Sequence, residues 1–125
     1  MVLSRTAWRW GQALAWAALI LFLGSRPIAD LPVPAVPGLD KLLHAAFYGV
    51  LGFLAVRALE PSGPWRALAW GAVIGLSWGF VDEWAQTATP TRTAEMGDLL
   101  ADVAGAAAGG WIAFRTFVAR SRSQV

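Results

Sequence analysis

The sequence contains no cysteine, few charged residues and a single histidine. The absence of cysteine excludes disulfides, thiolate nucleophiles and zinc sites built from thiolates. Charged residues make up 14% of the 125 positions, whereas a soluble domain usually has about 25%. The basic residues form no run of like charge, so no nucleic-acid partner is expected. One histidine is too little for a zinc site, and we expect neither a metal nor another cofactor.

The chain is instead rich in apolar residues, which account for 57% of it, and its mean hydropathy is +0.52. Four apolar stretches approach the roughly 20 residues that cross about 30 Å of hydrocarbon. They are residues 7–23, 42–59, 65–81 with a helical continuation to 86, and 99–118. Backbone polar groups in lipid must be satisfied internally, so these spans are predicted to be helices. The sequence therefore predicts an all-α fold: a single domain, residues 1–125, forming a bundle of four transmembrane helices.

Prolines and glycines mark the connections between the spans. Four prolines between residues 27 and 37, followed by Gly38, predict an ordered, extended first loop. Residues 61–64, Pro-Ser-Gly-Pro, predict a tight turn between spans two and three. Arg5 and Arg9, followed by an apolar run, resemble the start of a signal peptide. Because no small-x-small cleavage site follows before the prolines, we favour an uncleaved membrane anchor.

The distribution of charge predicts an orientation in the membrane. Seven of the ten basic residues fall on one side of the predicted bilayer: Arg5, Arg9, Arg57, Arg66, Arg115, Arg120 and Arg122. Seven of the eight acidic residues fall on the other side, with Glu60 the exception. Because basic residues are enriched on the cytoplasmic side, both termini are predicted to be cytoplasmic. The protein is therefore expected to be a multi-pass membrane protein.

Small residues recur every four positions in three of the spans. They are Ala45 and Gly49 in span two, Gly71, Gly75 and Gly79 in span three, and Ala101, Gly105 and Gly109 in span four. Such stripes let two helices approach closely. We favour packing inside one bundle, and a homodimer formed through the glycine stripes is the alternative.

Polar side chains lie at the ends of three spans, and the alternating direction of the spans puts these ends on the outer side. They are Asp40, Lys41, His44 and Tyr48 in span two, Glu83 and Gln86 in span three, Asp98 and Asp102 in span four, and Arg92 in the preceding loop. Ionisable groups in a membrane are costly, so a converging set indicates a functional site. These residues are the predicted ligand-binding site.

The spacing of these residues indicates which of them share a helix face. Asp40, His44 and Tyr48 are four residues apart and stack on one face, and Asp98 and Asp102 do the same. Asp40 is also a candidate N-cap, since it follows Pro-Gly and precedes an apolar helix. His44 is either a hydrogen-bonded structural residue or a site residue that neighbouring acids keep protonated.

Three kinds of chemistry fit carboxylates that face a histidine. They can bind a hard cation through oxygen, perform general acid–base chemistry, or neutralise Lys41 and Arg92 in a salt-bridge network. Arg92 can clamp a carboxylate or phosphate of a ligand, or hold Glu83 or Asp98 in place. Asp82 and Glu95 are expected to be solvated residues at the loop edge.

The chain carries four motifs in order: Asp-Lys-x2-His-x3-Tyr (40–48), Gly-x3-Gly-x2-Asp-Glu-x2-Gln (75–86), Pro-x-Arg (90–92) and Asp-x3-Asp-x2-Gly-x3-Gly (98–109). In this order, at the ends of membrane helices, they resemble the VanZ-like family over residues 40–109. The resemblance implies a small, multi-pass protein of the bacterial plasma membrane, and the family's namesake is linked to resistance to the glycopeptide antibiotic teicoplanin. The signature positions it carries over are Asp40, His44, Tyr48, Glu83, Gln86, Arg92 and Asp98. The chain departs from the family at Asp102, where asparagine is common.

Three functions are compatible with these observations. The favoured one is binding of a cell-envelope ligand, such as a glycopeptide, a cell-wall precursor or a lipid head group. The second is an enzyme acting on an envelope lipid or glycan, with Glu83 or Asp98 as acid or base and His44 as partner. The third is a purely structural or interaction bundle. No serine has a His/Asp partner by sequence context, so no nucleophile motif is present. Whether the protein is an enzyme stays open, and a non-enzymatic role is favoured.

Overall fold

The computed structural model describes residues 4–26, 34, 36–90 and 92–123, and within these residues it contains four α-helices and no strand. The helices are α1 (Arg5–Gly24), α2 (Leu39–Ala58), α3 (Pro64–Gln86) and α4 (Met96–Arg122). Each contains one of the predicted apolar stretches to within one residue, which confirms the all-α prediction and its four helices. The extended loop predicted between residues 27 and 37 lies largely outside the described residues.

Glycine occupies the N-cap position of two helices, α2 and α3. Gly38 occupies the N-cap position of α2 with φ of +79°, a conformation that a side chain would strain. Asp40 lies in the first turn of α2 instead, so its predicted N-cap role is wrong. Between α2 and α3, a 3₁₀ turn (Glu60–Ser62) is followed by Gly63 with φ of +98°, and Pro64 opens α3. Proline is favoured at the first helical position, and the predicted tight turn is confirmed.

The glycine stripes of α2 and α4 face each other within the chain. These two helices run parallel, and a Cβ atom on Gly105 would overlap the backbone of Ala45. A Cβ on Gly109 would likewise overlap the backbone of Gly49. Helix α3 runs antiparallel to both and places Gly75 against the side chain of Ala106. Packing inside one bundle therefore uses these stripes, while the homodimer stays a prediction.

Two tryptophans attach α1 to the other helices. The indole N–H of Trp16 donates to the carbonyl of Phe47 on α2 at 2.8 Å. The indole N–H of Trp78 on α3 donates to the carbonyl of Ala17 on α1 at 3.1 Å. The large ring thus packs between helices while its one polar atom is satisfied.

Beside its apolar core, the bundle buries several charged side chains and exposes many large apolar ones. Six polar or charged residues are buried among the described ones: Asp82, Glu83, Gln86, Thr89, Asp98 and Asp102. Large apolar side chains face outward along the helices, including Leu14, Trp70 and Phe80, each more than half exposed. By length and hydropathy, α2 is the one helix in the described part of the chain that could cross a membrane.

Candidate functional site

The polar ends of α2, α3 and α4 meet at one end of the bundle. Because α3 runs opposite to α2 and α4, its last turns lie beside the first turns of the other two. We call the residues gathered there the polar cluster. They are Asp40, Lys41, His44, Asp82, Glu83, Gln86, Glu95, Asp98 and Asp102.

Lys41 joins three carboxylates at the surface of the polar cluster. Its Nζ atom lies 3.0 Å from Asp40, 2.9 Å from Glu95 and 2.9 Å from Asp98. The Asp98 side chain is 11% exposed, whereas those of Asp40 and Glu95 are more than half exposed. The ammonium therefore ties the start of α4 to the start of α2. We call these four residues the lysine group.

His44 lies one turn further into the bundle, between two aspartates of α4. Its Nδ1 atom is 2.8 Å from Oδ1 of Asp102, which is completely buried, and its Nε2 atom is 3.7 Å from Oδ2 of Asp98. The spacing of four residues between Asp98 and Asp102 allows this, since it puts both carboxylates on the face that meets α2. The structure thus gives the histidine a carboxylate on each side of its ring.

The end of α3 contributes a second set of buried polar groups. Oε2 of Glu83 accepts a hydrogen bond from the backbone N–H of Glu95 at 3.0 Å, which ties α3 to the start of α4. The side-chain amide of Gln86 donates to Oδ2 of Asp82 at 3.2 Å. Both Gln86 and Asp82 are 2% exposed.

Asp82 corrects one sequence expectation, because it is buried rather than solvated at the loop edge. The signal was present in the sequence. The glycine stripe Gly75 and Gly79 marks the buried face of α3, and three residues further along the same face comes Asp82. Glu95 is exposed as expected, but its backbone and side chain both bind residues of the polar cluster.

Two further predicted site residues donate hydrogen bonds to backbone carbonyls, and one of them, Tyr48, also lies close to Asp82 of the polar cluster. Tyr48 is 1% exposed, and its hydroxyl donates to the backbone carbonyl of Trp78 at 3.2 Å, deeper between α2 and α3. The guanidinium of Arg92 donates through Nε to the carbonyl of Arg26 at 3.1 Å. Among the described residues Arg92 forms no ion pair, so its predicted hold on Glu83 or Asp98 is not found.

Three buried carboxylate oxygens have no hydrogen-bond partner among the described residues: Oδ1 of Asp82, Oε1 of Glu83 and Oδ2 of Asp102. A buried polar atom without a partner is destabilising, and in native proteins such atoms are few. One ligand atom each from His44, Glu83 and Asp102 lies within 4.8 Å of the others. We call these three residues the histidine group. The arrangement can bind a cation or hydrogen-bond donor, or transfer a proton between His44 and a carboxylate.

A comparison with known proteins identifies a family. A family model described as VanZ/LLP1 matches residues 2–118, which confirms the resemblance carried by the motifs. No curated protein and no solved structure matches the chain.

Proposed function

The chain belongs to the VanZ/LLP1 family, and on this basis we propose that it is a four-span protein of the bacterial plasma membrane whose polar cluster binds a cell-envelope ligand. The observation that carries the proposal is the convergence of charged side chains from three helices at one end of the bundle. Buried ionisable groups in a membrane protein indicate a functional site by default.

The burial pattern supports the membrane part of the proposal. Many exposed leucine, phenylalanine and tryptophan side chains are unfavourable in water and favourable in lipid. Helices α1, α3 and α4 are less hydropathic than α2 because they carry tryptophan, glycine or charged residues. Tryptophan and glycine are both common in membrane helices, where they serve at interfaces and in close packing.

Charge asymmetry supports an outward-facing polar cluster. The end of the bundle opposite the polar cluster holds the start of α1, the α2–α3 turn and the end of α4. These segments carry the seven basic residues that the positive-inside rule assigns to the cytoplasm. Both termini are then cytoplasmic.

The absence of cysteine offers a direct test of this orientation. Ser25→Cys and Ser62→Cys introduce single thiols at exposed positions at opposite ends of the bundle. A membrane-impermeant maleimide applied to intact cells should label Ser25→Cys and leave Ser62→Cys unlabelled until the cells are opened. The reverse labelling would refute the orientation, and equal labelling of both without cell lysis would refute the spanning arrangement.

The excess of acidic side chains in the polar cluster favours a particular ligand chemistry. It contains six carboxylates, from Asp40, Asp82, Glu83, Glu95, Asp98 and Asp102, against the side chains of Lys41 and His44. An excess of acceptor oxygens favours ligands that present amine, amide or hydroxyl donors. Glycopeptides, cell-wall precursors and lipid head groups carry such donors, and binding a glycopeptide or its target would contribute to teicoplanin resistance.

Specific observations favour two further functions. The 2.8 Å contact between His44 Nδ1 and Asp102 has the geometry of an acid–base pair, as in an enzyme acting on an envelope lipid or glycan. The three carboxylates around Lys41 would also suit a purely structural bundle. An enzyme would change its ligand chemically, and a structural bundle would lose stability rather than function on mutation.

Antibiotic susceptibility tests the proposed function. Three forms of the protein are compared at equal membrane levels in a sensitive bacterium: the wild type, Glu83→Gln in the polar cluster, and Glu60→Gln at the opposite end of the bundle. We expect the wild type and Glu60→Gln to raise the inhibitory concentration of teicoplanin, and Glu83→Gln to lose that effect; vancomycin is tested in parallel. If the inhibitory concentration does not change although the protein is verified in the membrane, resistance is removed from the proposal. Identification of co-purifying lipids would then test other envelope ligands.

A further inference from the structure

Two groups of carboxylates occupy the polar cluster, and they differ in how their charge is neutralised. In the lysine group, a single ammonium lies 2.9–3.0 Å from oxygens of Asp40, Glu95 and Asp98. These three acids also have the mutual spacing of metal ligands, but Nζ of Lys41 already lies among them. The lysine group therefore carries its own cation.

In the histidine group, the potential ligand atoms lie equally close together. Among the described residues, no lysine side chain contacts them. Asp102 is 0% exposed and Glu83 is 7% exposed, so both carboxylates are more than nine-tenths buried. Each has one oxygen without a hydrogen-bond donor in the described part of the chain, Oδ2 of Asp102 and Oε1 of Glu83. Buried carboxylates are stable only when they are paired or coordinate a cation.

The unpartnered oxygen of Asp102 faces the helix that carries Glu83. A Cβ atom built on Gly79 of α3 would lie 3.6 Å from Oδ2 of Asp102, so this oxygen points from α4 towards α3. Glu83 lies one turn further along α3, on the same side. Oδ1 of Asp102 meanwhile contacts His44 on α2. Asp102 thus stands between the other two residues of the histidine group.

We infer that His44, Glu83 and Asp102 bind one divalent transition-metal ion, such as Zn²⁺ or Mn²⁺. One imidazole nitrogen and two carboxylate oxygens suit these ions, whereas Mg²⁺ and Ca²⁺ prefer oxygen ligands alone. Two carboxylates and a neutral histidine balance the charge of a divalent ion. This site would replace the sequence expectation of no metal, and it does not depend on the proposed envelope function.

The contacts of His44 agree with a metal-ligand role. Nδ1 of His44 and Oδ1 of Asp102 are 2.8 Å apart, close to the roughly 3 Å between adjacent ligands of an octahedral ion at metal–ligand distances of about 2.1 Å. On the far side of the ring, Nε2 faces Oδ2 of Asp98 at 3.7 Å. A ligating histidine commonly directs its other ring N–H at a carboxylate, which orients the ring. Lys41 in turn holds Asp98 in place.

Glu83 is oriented in a similar way. The backbone N–H of Glu95 binds Oε2 of Glu83, which leaves Oε1 for the ion. The three ligands come from three different helices, so an ion would fasten the polar end of the bundle. Three protein ligands leave at least one coordination position for water or for an oxygen of a bound molecule.

Metal binding by the purified chain tests the inference directly. Protein in mild detergent is stripped with a chelator and titrated with Zn²⁺ and with Mn²⁺ by calorimetry, and the bound metal is counted by mass spectrometry. We expect one ion per chain for the wild type. Asp102→Asn and Glu83→Gln should weaken binding by at least about 100-fold, since losing outer partners of a ligand alone costs about 10–100-fold. The matched control Asp40→Asn, an acid-to-amide change in the lysine group, should bind as the wild type does.

Two results would overturn the inference: a folded wild type that binds neither ion, or equal weakening by Asp40→Asn and Glu83→Gln. A second measurement needs no variant, because the chain has a single histidine. Protein labelled with ¹⁵N-histidine should show a change in its imidazole nitrogen signals when one equivalent of Zn²⁺ is added. Signals that stay unchanged through the titration would also overturn it, whether or not the variants fold.

Discussion

Replacing Gly105 with alanine tests whether the close contact of α2 and α4 builds the site. A Cβ atom at this position would overlap the carbonyl oxygen of Ala45 and lie 2.7 Å from its carbonyl carbon and Cα. Carbon atoms in favourable contact are about 3.5–4.0 Å apart, so the helices must separate by about 1 Å. The obstructing atoms belong to the backbone of a helix, which cannot turn aside as a side chain can.

The expected magnitude follows from comparison with Gly11→Ala in α1. A Cβ on Gly11 would meet nothing within 4 Å. Both substitutions gain the same helix propensity, about 1 kcal/mol for alanine over glycine. The difference between them therefore isolates the packing penalty, and overpacking of a well-filled contact costs about 1–3 kcal/mol. We expect Gly105→Ala to unfold about 2–3 kcal/mol more easily than Gly11→Ala.

Unfolding in mixed micelles with increasing SDS, followed by far-ultraviolet circular dichroism, measures this difference. A second readout lies in the site itself, since His44 adjoins Ala45 and would move away from Asp102 as the helices separate. We therefore expect the imidazole signals of the sole histidine to change in Gly105→Ala and to stay as in the wild type in Gly11→Ala. Equal stability of the two variants would refute the close approach of α2 and α4.

Two further predictions concern ion pairs at opposite ends of the bundle. Lys41→Met removes the ammonium shared by three carboxylates, so we expect a lower SDS midpoint, partly restored by adding Asp98→Asn; an unchanged midpoint would contradict the role of the lysine group. Arg9 pairs with Glu60, and both side chains are about a quarter exposed or less. A double-mutant cycle of Arg9→Ala and Glu60→Ala should give a coupling of about 0.5–1 kcal/mol, and additive effects would show that the pair contributes nothing.

The helices and their connections were predictable because the signals are local. An apolar run of suitable length must be helical in lipid, and proline with glycine ends it wherever the surroundings permit. Residues 61–64 therefore form the expected turn. The N-cap of α2 is the exception: Asp40 is the expected cap and Gly38 the observed one, because both precede the apolar run and local sequence favours the side-chain cap.

The residues that form the polar cluster were predictable only in part. Alternation of direction along the chain brought the polar ends of α2, α3 and α4 together, as expected. The partners within the cluster depend on how each helix is rotated about its axis, a quantity set by packing against its neighbours. That rotation buries Asp82, and the described loop contacts direct Arg92 to the carbonyl of Arg26.

The sequence by itself determined the four helices, the polar end of the bundle and the family. The length of apolar runs, the turn residues and the order of the motifs are all local properties of the chain. The tertiary structure alone decided which carboxylates share Lys41 and which face His44. Except for the adjacent pair Lys41–Asp40, those pairings join residues 54 to 58 positions apart. Contacts of a few ångströms between separate helices arise from the glycine packing that sets helix distance and rotation, and no local pattern encodes them.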